Sequence, residues 1–105
     1  MSAGNWKEMY TAAENGDISL LKYHLSKGAD PNYQHPEVMA TPLFASIKNG
    51  HEQAVSLLLD YGADPNIKTE LEGMDAYDAA LHYGQNKLFD KLMQQKSAKN
   101  KSTNT

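Results

Sequence analysis

The groups in this 105-residue chain with the means to do chemistry are four histidines and thirteen acidic side chains, since cysteine and arginine are absent. A metal site wants ligands close together, such as two histidines one helical turn apart. His24, His35, His51 and His82 are instead scattered over different element types, and no such pair occurs. His51-Glu52 begins like the His-Glu-x-x-His of zinc proteases, but the position due for the second histidine is Val55. Asp30 and Asp64 look like a carboxylate pair until their context is read: both sit in the pentapeptide GADPN, where Asp and Asn bond their own backbone in a turn. General acid–base or nucleophilic catalysis needs groups that converge, and the pattern holds none. Without cysteine there is no disulfide, no thiolate ligand and no thiol nucleophile. The expectation is a protein that is no enzyme and has no metal and no cofactor.

What positions these groups is read first from composition. The length suits a single domain, and 40% hydrophobic with 22% charged residues is ordinary globular usage. No apolar run approaches the length needed to span a bilayer, and MSAGNWKEMY lacks the basic start and apolar stretch of a secretory signal; a cytoplasmic protein is expected. The net charge is −3, and Lys96, Lys99 and Lys101 all fall in the last ten residues, so the body is acidic. Nucleic acid and anionic membrane, which draw affinity from positive surface, are not expected partners. The polar segment 96–105 reads as a disordered basic tail.

The dominant feature is internal repetition. Residues 6–32 written above 40–66 give eight identities at a constant offset of 34, among them Asn15 with Asn49, Gly16 with Gly50, Leu25 with Leu59, and GADPN with GADPN. A weaker third copy follows in register, with Gly84 lying 34 after Gly50. Such periods mark stacked units. Each copy reads as two short helices. In the middle one Thr41 caps and Pro42 opens the first helix, Gly50 ends it, and HEQAVSLLLDY repeats its apolar residues at helical spacing before Gly62 stops it. Asn5 with Glu8, then Asp17, are the expected caps of the first copy, and Asp75 that of the third. Eight irregular residues, 33–40 and 67–74, link each GADPN to the next helix and should project as turns. Met9, Leu20, Leu21, Leu25, Leu43, Ile47, Leu57, Leu58, Leu59, Leu81, Leu88 and Leu92 are the expected core, with His24, at the place of Leu58, partly buried among them.

TPLFASIKNGHEQAVSLLLDYGADPN, residues 41–66, resembles an ankyrin repeat over its full length: Thr41, Pro42 and Leu43, then Gly50-His51, then Val55 to Leu59, then Gly62, Ala63, Asp64 and Asn66 fit the family's pattern. Departures are Phe44, Tyr10 and Asp78 where the family has His, and a third copy without a closing GADxN. The resemblance implies an all-α ankyrin-repeat solenoid of three helix-turn-helix repeats, about 5–38, 39–72 and 73–95, forming one domain over 1–95 and a complete small protein. Terminal repeats need polar outer faces, and Lys87, Lys91, Gln94 and Gln95 fit such a cap.

The same resemblance implies the function: a non-catalytic protein–protein interaction module, an adaptor, inhibitor or escort, that holds a partner protein with its concave face and projecting turns. By position that face takes Trp6, Tyr10 and Asn15 from the first copy, and Tyr33, Gln34, His35, Met39, Lys48 and Asn49 around the second. From the third it takes Glu70, Leu71, Glu72, Met74, Asp78, His82 and Tyr83. Aromatic and Met side chains are typical interface anchors, and an acidic body favours a partner with a basic or mixed surface. Against this stand simpler roles: Trp6 covering the open end of the stack, Tyr33 and Met39 folding back on the next helix, Leu71 and Met74 in the core. The alternative function is a self-associating structural protein, a weak homodimer pairing through Trp6 and Met9; a small-molecule binder or enzyme ranks below both.

Overall fold

Helix starts are set by side chains that satisfy otherwise free backbone amides. Asp17 accepts the N–H of Leu20, Thr41 that of Phe44, and Asp75 that of Asp78, so three helices begin where a short polar side chain precedes an apolar run. In the computed structural model, which describes the backbone of residues 4–103 and the side chains of residues 6–97, six helices and no strand occur among the described residues. They are α1 (Gly4–Asn15), α2 (Ile18–Ser26), α3 (Pro42–Lys48), α4 (Glu52–Asp60), α5 (Ala76–His82) and α6 (Asn86–Thr103). Gly16, Gly50 and Gly84, at equivalent places between paired helices, all have φ near +70°, a conformation that costs other residues a clash of Cβ with the carbonyl.

The pairs α1–α2, α3–α4 and α5–α6 stack in order, with α3 between α1 and α5. One continuous core runs through the stack: Met9, Ala13, Leu21 and Leu25 from the first pair, Leu43, Phe44, Ile47, Val55 and Leu58 from the second, Ala79, Ala80, Leu88 and Leu92 from the third. Two expected core residues differ. His24 is fully inside, where its Nε2–H donates to the Glu8 carboxylate at 2.5 Å. Glu8 is therefore the partner of a buried imidazole, and α1 already begins at Gly4, one residue before the expected cap Asn5, whose side chain lies outside the described residues. Leu81 is 59% exposed, because among the described residues no helix packs over it.

Gln34 ties the two projecting turns together. Its Nε2–H donates to the Lys68 carbonyl at 3.0 Å and its Oε1 accepts the Glu70 N–H at 2.9 Å, while the Leu71 N–H reaches the Met39 carbonyl at 3.0 Å. Below them Asn32 does the same between the two GADPN turns, donating to the Gly62 carbonyl and accepting the Asp64 N–H. Inside each turn Asp30 and Asp64 accept the N–H of the Asn two residues on. The third copy has no such turn: α6 continues in its backbone to Thr103 where the sequence predicts a disordered tail from 96. Between Asn86 and Thr103 there is neither Gly nor Pro to stop it; residues 104–105 lie outside the described part.

Candidate functional site

The turns and the ends of the first helices meet on one side of the stack, and their polar groups centre on Glu72. Its carboxylate accepts from the Tyr83 hydroxyl at 3.4 Å. The Tyr83 ring meets Phe44 edge-on at 6.0 Å and His82 at 4.7 Å, and the Lys48 ammonium stands 5.7 Å from its centroid. Tyr10 of the first repeat lies within reach of the Glu72 charge. Burial first, then the negative charges of Glu14 and Glu72, push its phenol above the usual tyrosine range, because each disfavours a phenolate. Residues from the second and third helix pairs and from the second turn thus share one patch.

A second group lies at the outer edge of the first turn. Trp6 and His35 stack with rings 3.8 Å apart and 8° from parallel, Tyr33 meets His35 edge-on at 6.1 Å, and Lys7 pairs with Glu37 at 3.8 Å. The Glu37 N–H donates to His35 Nδ1, which fixes the imidazole with its proton on Nε2. Trp6 is left 8% exposed. His35, expected on the partner-binding face, is half-buried against it, since two flat rings remove more apolar surface from water together than apart.

The remaining expected residues fall as follows. Asn15, Lys48, Asn49, Glu70, Asp78 and His82 are exposed, and Asn49 spends its amide on the Ala45 carbonyl at 2.9 Å. Gln34 is committed to the turn-to-turn bridge. Leu71 is 64% exposed at a turn tip and so is no core residue, while Met74 is half-buried against the core. Met39 is half-buried with φ of +53°, the position that Gly73 fills in the next turn with φ of +67°. Asp78 faces Asp75: each carboxylate accepts the other's backbone N–H, so the acid at the family's histidine position is used in a helix cap. The contacts that spacing did not reveal are the Glu8–His24 pair and the Trp6–His35 stack, both of which join segments whose distance apart no periodicity encodes.

Each histidine with a described contact is engaged structurally; His51, for instance, donates through Nε2 to the Glu14 carbonyl at 3.0 Å and so links the first two repeats. Among the described residues no three His, Asp or Glu side chains gather in a metal-binding cluster, and no helix is long and apolar enough to cross a membrane. The patch offers carboxylates, phenols and one ammonium on a broad surface, which suits the recognition of another surface.

A family model described as ankyrin repeats (3 copies) matches residues 9–104. The chain is similar to the ARF GTPase-activating protein GIT1 of Homo sapiens, 32% identical over 88 residues, which is 84% of this chain and 11% of that protein. It is similar also to Palmitoyltransferase AKR1 of Lachancea kluyveri, 36% identical over 74 residues, 70% of this chain and 10% of that one. Palmitoyltransferase ZDHHC13 of Homo sapiens is 39% identical over 59 residues, 56% of this chain and 10% of that protein. The chain spans about a tenth of the length of these relatives.

Proposed function

This chain belongs to the ankyrin-repeat family, and on that premise we propose that it is a non-catalytic binding module that holds a partner protein on the side of the stack where the projecting turns and the first helices meet. Ankyrin repeats are in general protein-interaction modules, and the relatives support the same reading: a GTPase-activating protein and palmitoyltransferases share with this chain a repeat segment of about a tenth of their length. The observation that carries the proposal is the meeting of Lys48, Tyr83 and Glu72, from the second and third repeats, on one patch whose negative charge Tyr10 of the first repeat also feels. Its charge points to the partner's chemistry. Glu14 and Glu72 both act on Tyr10, Glu70 is exposed in the same turn as Glu72, and Lys48 stands against them, so a basic or mixed surface would be drawn to it. A cytoplasmic setting, where a cysteine-free chain loses nothing, completes the proposal.

The test is affinity capture from the native host's lysate with the intact chain and with the double variant Glu70→Lys, Glu72→Lys. Both positions are exposed, so the helical circular dichroism should be unchanged. Proteins held by the intact chain and released by the variant, with affinity lowered about tenfold or more, the effect of losing roughly 1.4 kcal/mol, are the expected result. Equal retention by both would place the binding surface elsewhere.

A further inference from the structure

Positions 34 apart occupy equivalent places in successive repeats, so their burial can be followed along the stack. Ala13 and Ile47 are wholly buried, and Leu81, the next in that series, is 59% exposed. Met9 and Leu43 are buried and Tyr77 half-buried; Leu21 and Val55 are buried and Phe89 half-buried. Leu25 is buried, Leu59 half-buried, and Met93 41% exposed. All four series are more exposed at the third repeat than at the second, and in each the residue there is a large aliphatic, thioether or aromatic side chain. A repeat at the end of a stack is expected to turn polar on its outer face; in the third repeat Lys87, Gln94 and Gln95 are exposed as expected and Lys91 is half-buried, yet Leu81 and Met93 are exposed as well, so the face does not turn wholly polar. The first repeat does: Lys7 and Thr11 are exposed where Thr41 and Ala45, their equivalents, are buried.

Tyr77 and Leu81 lie one turn apart on α5, and Phe89 and Met93 one turn apart on α6, so each pair forms a stripe on its helix. Beside them, between the turn at 62–66 and α6, opens a groove of about 550 Å³ lined by Leu59, Ala63, Pro65, Tyr77, Leu92 and Lys96. We propose that this C-terminal face of the stack is a self-association surface, on which a second copy of the chain seats the same face across a two-fold axis.

Three observations select that occupant. The face continues the stacking interface that already joins α1 to α3 and α3 to α5, so the surface that covers it elsewhere in the molecule is another apolar repeat face. A copy's first repeat does not offer one, since Lys7 and Thr11 would be buried without partners; its third repeat does, and like faces paired across a two-fold close the assembly at two. Charge agrees. Residues 1–75 carry five lysines against eleven acids, whereas residues 76–97 carry Lys87, Lys91 and Lys96 against Asp78 and Asp90, with Asp64 of the adjoining turn also lining the groove. Two copies repel one another through their acidic bodies and meet at near balance only here. Pairing through Trp6 and Met9 is closed off, because both are buried within their own chain.

Sedimentation equilibrium of the intact chain up to about 1 mM, a concentration that reveals even weak pairing, should show the mass rising from 11.6 kDa toward twice that value and no further. Leu81→Lys, and independently Met93→Lys, should weaken the association by about tenfold or more. Both side chains are exposed in the single chain, so either variant keeps its fold and its circular dichroism. Tyr23→Lys, at an equally exposed residue of the first repeat, should leave the association intact. A mass fixed at 11.6 kDa throughout would overturn the proposal, as would masses beyond the dimer, or loss of pairing in the Tyr23 variant alone. None of these outcomes bears on the patch around Glu72.

Discussion

At the scale of single residues, Gly16 shows how a conformational requirement and a contact add. Its φ is +73°, and a Cβ there would stand 2.6 Å from His51 Nδ1, the ring whose other nitrogen holds the Glu14 carbonyl. Gly84 has nearly the same φ, +69°, with open space around it. Gly84→Ala should therefore cost only the left-handed strain, about 1–2 kcal/mol. Gly16→Ala should cost that and about 1 kcal/mol more for the displaced hydrogen bond. Urea unfolding of the two variants reads the difference directly; equal losses would mean that His51 contributes nothing to the joint between the repeats. Tyr10 carries a second expectation. The folded chain holds the phenolic proton to higher pH than the unfolded chain does, so the associated stability is fully present below about pH 10 and is lost as the pH rises through the raised value. Tyr77 acts in the same sense. Tyr10→Phe, with nothing to ionise, should flatten the fall in stability above pH 10 relative to the unchanged chain, and an identical alkaline slope would argue against the acidic, half-buried surroundings described for it.

At the scale of helices, the starts were readable because a cap is local: Asp17, Thr41 and Asp75 each act on an amide three residues on, within the reach of sequence spacing. Asp75 and Asp78 exchange side-chain to backbone bonds at both ends of the first turn of α5. Removing the first of them, Asp75→Ala, should lower stability by about 1 kcal/mol, measured by thermal or urea unfolding; no change would mean that solvent replaces the cap without loss. What spacing does not carry is anything that depends on a neighbour's presence or absence. Leu81 has the periodicity of a core residue and lies in the open because no described helix packs over it. Glu8 reads as a capping residue and pairs with His24, sixteen residues away. His35 reads as a partner contact, and the position of Trp6 leaves it half-buried within its own chain. The members of the patch on the turn side could be named from their places in the repeat, whereas the role of Glu72 as its centre depends on how the second turn folds over α5, which no pattern of residue types specifies.

At the scale of the whole molecule, a stack of repeats holds together through nearest neighbours, so local stability follows the number of faces each pair has covered. The middle pair, α3 and α4, is covered on both sides, and from Pro42 to Ile47 every side chain of α3 is buried. The third pair is covered on one side only, and Leu81 and Met93 face solvent in the single chain. Local opening should accordingly need the most free energy in α3 and the least in the part of α6 beyond Leu92, which leaves the core. Backbone hydrogen exchange, followed at a concentration low enough to keep the chain single, should show α3 amides slowest, α5 faster, and the end of α6 fastest. Equal protection in α3 and α5 would mean that the three pairs unfold as one unit and that an uncovered face costs the third pair nothing. Raising the protein concentration then separates two causes of protection. Burial within the chain does not depend on concentration, whereas burial by a second copy does, so a slowing confined to α5 and α6 would assign the dimer contact to the end of the stack that its apolar residues leave uncovered.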